Sequence, residues 1–498
     1  MAGVGFELKK IFRDNSSLLN SLKGYSVTAV VTEGPMVLTV LLLFVLRFLM
    51  REAHASYREQ EIFLFIITYV MIFSLIFSNT LLMFSDRFVS DCIYKDETEK
   101  ILPSFFGLAF FLLLIGGTAA FIYLLTLPVS FLFRAAALLQ FCSMLVLWLQ
   151  IAFLSAVKQY SRILLGFAAG FLVAVLLTLL FLGTGTDPLM AAMWGAAAGF
   201  FTMMVFFLTQ LLRCYPLGKF QLFSFFPALD QYKILIATGF FMALGLFAHN
   251  FIIWCSEYAN RVFPTGVFCS RYDVPAFFAA FTIIPMLVQF VVSLEVNFCV
   301  KNRVYFSTIL RGGRLSDIRA AKKDMEKVLF RELAHMMEIQ ILFTIISVTF
   351  LAGLLSYFGL DPDMVSIFRI LCFGYLLYGF FKALTILLLY FDDRAGACAS
   401  AALFAALSIL FTALSLQLEI SAWGIGFWGA GALTSLFALL RLKWYVKTLE
   451  YHVFCRQPLF TDTDTHFWEK LEIRLRQSDQ NLKPGKEKKR PYERKKNS

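Results

Sequence analysis

Charged side chains are scarce in this chain. Asp, Glu, Lys and Arg make up 16% of its 498 residues, while hydrophobic types reach 59%; a soluble domain carries about a quarter charged. So few charges cannot cover the surface of a chain this long, which excludes a soluble globular protein. The nine cysteines (92, 142, 214, 255, 269, 299, 372, 398 and 455) form no CxxC pair, so no metal site is indicated. Only Cys255 and Cys269 share a loop expected outside, as two free thiols or as a bridge. No GxxxxGK[ST] run occurs, which removes the usual ATP-hydrolysing loop. Arg311-Gly312-Gly313-Arg314 is too short to cradle phosphates and reads as a turn. No cofactor is expected. The N-terminus does not read as a cleavable signal either, since residues 1–24 are polar and mixed in charge.

Apolar runs of about 20 residues are abundant, and that length crosses roughly 30 Å of hydrocarbon. They lie near 25–50, 62–85, 101–125, 131–156, 163–183, 188–212, 233–255, 274–295, 336–358, 364–390, 397–416 and 424–448. The expected fold is an all-α polytopic membrane protein with twelve transmembrane helices. Segments on the side of both termini hold 37 Lys and Arg, those on the other side 7, and Lys382 lies inside the tenth span. Basic residues accumulate in the cytoplasm, so both termini are expected there, in a multi-pass protein of the cell (inner) membrane. Phe6, Ile11, Phe12, Leu18, Leu19 and Leu22 make residues 1–24 an amphipathic segment at the inner interface. Residues 451–498 read as a basic cytoplasmic tail suited to anionic lipid or an acidic partner rather than nucleic acid.

Six spans (25–214) precede a Pro- and Phe-rich linker at 215–232 and six (233–450) follow it. Long charged inner loops recur after the second and eighth spans, and short polar turns after the fourth and tenth. Two six-helix lobes related as parallel repeats are expected, with a substrate path between them. The second lobe carries a long basic cytoplasmic loop at 296–335. From Ser316 its apolar residues fall at helical spacing, which suits a basic amphipathic helix lying on the inner leaflet, or a docking surface for a cytoplasmic enzyme.

Polar groups inside the spans carry the functional signal, because a charge at the bilayer centre costs about 2.5–3.5 kcal/mol even on a lenient scale. Glu33 falls near the midplane, beside Gly34 and Pro35. Proline leaves the carbonyl of Val31 without its helical partner and bends the helix. The pair could hold a cation, a proton or a sugar hydroxyl, or form a protonated interhelical contact beside a simple kink. Lys382 pairs with Glu33 across the lobes, meets a phosphate, or faces the bundle as packing. Asn79, Gln150, His249, Asn250 and Gln289 are ligand contacts or interhelical glue. Pro285 is a second mid-span kink, of use to lobes that rock. Glu52, Glu59 and Glu61 in EAHASYREQE could serve a membrane glycosyltransferase, but solvated surface charge explains them as well, and no enzyme is expected.

Several stretches also share a combined pattern: MAGVGFELKKIF at the start, EGPMVL in the first span, FSDRFVSDCIYKDETEKILPSFFG (84–107), RYDVPAFFAAFTIIPMLVQFVVSLEVNF (271–298) and LRGGRLSDI (310–318). Together they resemble the Pel exopolysaccharide transporter family over residues 1 to about 450. That family is similar to a branch of the multidrug/oligosaccharidyl-lipid/polysaccharide exporters, with twelve helices in two six-helix lobes. The resemblance implies export of a hexosamine-based biofilm polysaccharide. It also implies a complex with a cytosolic glycosyltransferase and membrane subunits that include a cyclic-di-GMP receptor. Matched positions are Gly34 and Pro35; Arg87, Asp91, Glu295, Gly312 and Gly313 on the cytoplasmic side; Tyr272, Asp273 and Pro275 on the outer side; and Pro285. The family pattern has a small residue where this chain has Glu33, so coupling through that carboxylate belongs to one branch or is not used. A flippase for lipid-linked oligosaccharide, a small-molecule antiporter, and a scaffold or subunit of a polysaccharide synthase are the alternatives.

Overall fold

The computed structural model describes residues 34–157, 160–216, 221–357 and 360–455. Eleven described helices are long and apolar enough to cross a membrane. The first expected span is described from Gly34 onward as α1 (Gly34–Glu52). There follow α2 (Tyr57–Tyr94), α3 (Thr98–Thr126), α4 (Phe131–Ala156), α5 (Tyr160–Gly183), α6 (Pro188–Cys214), α7 (Phe226–Trp254) and α8 (Ser270–Val292). A short α9 (Cys299–Leu310) precedes α10 (Leu315–Ser356), α11 (Pro362–Tyr390), α12 (Arg394–Ser415) and α13 (Ile425–Lys447). With α9 set aside, these helices match the twelve expected spans one for one. Glu33, the 1–24 segment and the tail beyond residue 455 lie outside the described residues.

Helix ends need explicit partners where water is scarce. At α2 a capping box does this: Ser56 Oγ accepts from the Glu59 amide at 3.3 Å, and the Glu59 carboxylate accepts from the Ser56 amide at 2.6 Å. Ser130 caps α4, and Asp187 followed by Pro188 starts α6. Two hydrophobic cores result. One is built on α1–α6 and takes in the start of α7 (Phe226, Tyr232 and Leu235); the other is built on the rest of α7 and on α8–α13. Within the first lobe α5 and α4 pack on α6 and α2 on α4; within the second α7 packs on α12, α8 on α11, and α13 on α11 and α12. Between lobes the principal contact is α2 on α7.

The second lobe departs from straight helices at α8. The helix breaks at Thr282–Ile283, with Pro285 in the first turn of its second piece, which is the kink expected there. A π-turn over Ser293–Phe298 then leads into α9. The basic segment after it is not a separate helix lying on the leaflet, nor a loop. It is the first half of α10, continuous with the ninth span over 42 residues. No proline occurs between Leu315 and Ser356, and the first glycine is Gly353, so nothing stops the helix. Its apolar stripe, Met325, Leu329, Leu333 and Met336, is buried in the second core, so protein covers the face that the sequence pattern assigned to lipid. α9 and the first half of α10 form an antiparallel stalk, turned at Gly312 with φ of +69°, a conformation that favours glycine.

One buried ion pair ties α12 to α13. Asp393 caps α12 through the Gly396 amide (3.0 Å) and accepts two bonds from Arg441, Nε at 2.7 Å and Nη2 at 3.0 Å. The Asp393 side chain is 1% exposed and that of Arg441 30%. Removing one partner of a fully buried pair costs about 3–5 kcal/mol; partial solvation of Arg441 puts Asp393→Ala nearer about 2–3 kcal/mol. Asp393→Asn keeps the cap and is expected to lose roughly half of that. Thermal unfolding of the purified protein in detergent checks the order wild type, Asn, Ala.

Candidate functional site at the seam between the lobes

The seam is built from regular spacing. Phe65, Tyr69, Phe73 and Phe77 recur every fourth residue of α2 and therefore share one face. Opposite them, the end of α7 presents Phe251 and Trp254. The Tyr69 and Trp254 rings stack at 4.9 Å with 8° between their planes, and Phe73 stacks on Phe251 at 5.6 Å. From α3, Tyr123 also stacks on Tyr69, at 5.7 Å and 17°. Further along the seam Gly239 of α7 touches the backbone of α2; a Cβ there would stand 2.1 Å from the Asn79 carbonyl oxygen. Only glycine admits so close an approach.

A strap crosses the same end of the bundle. Strands β1 (Asn260–Phe263) and β2 (Gly266–Phe268) form an antiparallel hairpin between α7 and α8. Although it belongs to the second half of the chain, its Val262, Phe263 and Phe268 are buried in the core of the first lobe. Tyr69 donates its hydroxyl to the Val267 carbonyl (2.9 Å), and Tyr123 donates to Thr265 O (3.3 Å). The hydroxyls of Thr126 and Thr265 lie 3.0 Å apart. The hairpin thus clasps the first lobe with backbone and side-chain bonds.

Asp273, in the first turn of α8, anchors the base of this strap. Its Oδ1 accepts from Asn250 Nδ2 (2.7 Å); its Oδ2 accepts from Trp254 Nε1 (2.8 Å) and from the Cys269 amide (3.0 Å). Such bonds offset the cost of burying a carboxylate. They also fix the indole that meets Tyr69. One residue earlier, the Tyr272 hydroxyl and His249 Nδ1 pair at 2.9 Å, both fully buried. Cys255 and Cys269 are both free. Burial, with the charge of Asp273 next in effect, pushes the Cys269 thiol up to about 11, which favours its protonated form. No cluster of three or more His, Cys, Asp or Glu among the described residues could hold a metal ion.

The overall arrangement of helices is similar to that of solved transporter structures. The chain resembles an outward-facing multidrug resistance MATE transporter of the MOP superfamily at a TM-score of 0.61 and 12% identity, covering 90% of this chain and 99% of that one. The values for a MOP superfamily transporter from Pyrococcus furiosus, described as having a binding pocket of reverse polarity, are 0.61, 11%, 86% and 96%. For an inward-facing MATE transporter they are 0.53, 13%, 82% and 95%. At these identities the likeness is one of fold. No curated protein matches the chain. The family model PelG, described as "Putative exopolysaccharide Exporter (EPS-E)", matches residues 1–454. The chain belongs to the PelG exopolysaccharide exporter family.

The PelG resemblance positions fall at both ends of the seam. Tyr272, Asp273 and Pro275 are buried at the strap end. Arg87 and Asp91 lie at the opposite end, where the Tyr232 hydroxyl at the start of α7 donates to Asp91. Arg87 pairs with Asp91 at 3.2 Å, and the Arg87 and Arg394 guanidiniums lie 5.7 and 4.9 Å from the centre of the Tyr232 ring. A second clasp between the lobes therefore closes that end. Gly312 and Gly313 turn the stalk, and Glu295 lies in the π-turn.

Of the span polar groups, Asn250 and His249 join the strap-end site, while Asn79 bonds back within α2 to Leu75 O at 2.9 Å. Gln150 ties α4 to Met204 O of α6 (3.0 Å), and Gln289 donates locally to Ser293 (3.0 Å). Lys382 is half-buried in α11, and its pairing with Glu33 lies outside the described residues, as does the cation site proposed beside Pro35. Sequence reasoning missed Tyr69, Tyr123, Trp254, the hairpin and Tyr232. Two signals were available: the four-residue aromatic period of α2, and Pro-Thr-Gly between the apolar pairs of NRVFPTGVF.

Proposed function

We propose that this chain exports a Pel-like, hexosamine-based exopolysaccharide for a biofilm matrix by alternating access between its two lobes, without catalysing a reaction itself. The strap end faces outward and the stalk, with both termini, faces the cytoplasm of the cell that makes the polymer. The observation that carries this reading is the seam, where one α2–α7 contact is fastened at each end by a separate clasp, Trp254–Tyr69 with the strap at one and Tyr232–Asp91 at the other. Opening either clasp while the other holds gives access from one side at a time. Membership of the exporter family supports the cargo class, and fold relatives in outward- and inward-facing conformations support the motion. The stalk, with Leu310 86% exposed beside Arg311 and Arg314, suits a cytosolic glycosyltransferase as partner, in a complex with a cyclic-di-GMP receptor.

Deleting the chain from its host is expected to abolish secreted polysaccharide while extracts keep their glycosyltransferase activity, and re-expression restores secretion. Unchanged secretion overturns transport. Loss of polymerisation in the extract turns the reading to a synthase subunit.

A further inference from the structure

The stacked rings at the strap end do more than hold the lobes together. We infer that Tyr69 and Trp254, with Tyr123 and Phe73 beside them, form a carbohydrate subsite in which a pyranose ring of the cargo replaces the direct Tyr69–Trp254 stack. This rests on the transport reading above. A sugar presents C–H bonds on its flat faces and hydroxyls around its rim. The site has the matching order: aromatic faces in the middle and polar groups at the edge.

The geometry supports each part. Tyr123, Tyr69 and Trp254 stand as three nearly parallel rings, 17° and 8° apart, and the gap between the second and third is the boundary between lobes. Two van der Waals layers of about 3.5–4 Å each are needed to seat a ring in that gap. The rings are now stacked on each other with centroids 4.9 Å apart, which is one such layer, so the lobes must part there by about one further layer, roughly 3.5–4 Å. On the rim, the Asp273 carboxylate and Asn250 amide meet the indole edge, and the Tyr69 and Tyr123 hydroxyls bond to hairpin carbonyls. In the closed state these groups satisfy one another; parted, they face outward as donors and acceptors at the height of a sugar's hydroxyls. A second step lies one turn away in the Phe73–Phe251 stack at 5.6 Å, so successive sugar units meet successive platforms. Planar cations also favour aromatic faces, but the alternation of hydroxyl, amide and carboxylate around this gap suits a neutral, hydroxylated ring better.

The test uses the full-length protein in lipid nanodiscs, with both faces accessible. Chitotetraose and maltotetraose serve as sugar probes and tetraphenylphosphonium as the rival; binding is read by isothermal titration. Saturable binding of at least one oligosaccharide is expected. Tyr69→Leu and Trp254→Leu should weaken it about tenfold, whereas Tyr69→Phe and Trp254→Phe, which keep the ring and lose the polar tip, should stay within roughly threefold. The phenylalanine variants separate stacking from clasping, because they cut the bonds to Val267 and Asp273. Absence of binding to both sugars overturns the inference, as does equal binding by the leucine variants when their thermal unfolding is close to wild type. Leucine-sensitive binding of tetraphenylphosphonium alone overturns it in favour of a cation site. These results leave the transport reading standing if deletion still abolishes secretion; continued secretion in the deletion strain removes that reading by itself.

Discussion

Asp273→Ala is expected to lower stability by about 3–5 kcal/mol and to reduce secretion to the level of the deletion strain. Three donors, Asn250 Nδ2, Trp254 Nε1 and the Cys269 amide, lose their acceptor together. Each buried donor left without a partner costs about 1–3 kcal/mol, and water entering from the nearby surface recovers part of the sum. The functional loss has its own cause. Without the carboxylate the indole is no longer held parallel to Tyr69, and the base of the strap is released from α7. Asp273→Asn keeps one acceptor but turns an NH2 toward donors, so it falls between wild type and alanine. Trp254→Phe removes one of the same three bonds; combined with Asp273→Ala it should cost less than the two changes added, by about 1 kcal/mol. Thermal unfolding of these four variants beside wild type, with secretion in the same backgrounds, reads both effects. Wild-type stability in Asp273→Ala would mean that the three bonds contribute nothing net, and the account of the strap would fail with them.

The spans were legible because crossing a bilayer requires about 20 apolar residues, a signal that survives without tertiary information. The site was only partly legible, and the reasons are local. Asp273 stands one residue before the apolar run that begins at 274, so it read as a loop residue and entered only through the family pattern. Asn250 and His249 stood out as polar groups at depth, yet their partners lie 23 residues onward, on the far side of a hairpin. Tyr69 and Trp254 were hidden by abundance. With 17% of the chain aromatic, no single ring stands out. Asp393 read as part of a short polar turn and Arg441 fell within the last apolar run, 424–448; their pairing brings together residues 48 apart. α10 shows the converse error, where an amphipathic pattern was correctly seen but the face that covers it was not. Periodicity tells that a stripe is buried, and not whether lipid or protein buries it.

A covalent lock on the strap tests the motion itself. Thr126 of α3 and Thr265 at the tip of the hairpin place their hydroxyls 3.0 Å apart, so cysteines at both positions are well placed to form a disulfide. In a Cys255→Ser background, which removes the exposed thiol nearest in sequence to the hairpin, oxidation of Thr126→Cys/Thr265→Cys is expected to stop secretion completely. Reduction should restore it, and neither single variant should respond. Mass spectrometry of proteolytic fragments confirms the bridge. The reasoning is mechanical: the hairpin belongs in sequence to the second lobe and in packing to the first, so any opening at this end must either peel it from α2 and α3 or carry it with them. Trp254 is tied through Asp273 to the strap's base, and its ring lies on Tyr69, so peeling the strap and parting the rings are one movement. If the oxidised double variant secretes at the reduced rate, the strap rides with the first lobe throughout the cycle. Opening at the strap end would then have to occur between the hairpin and α7, with the Asp273 bonds breaking in its place.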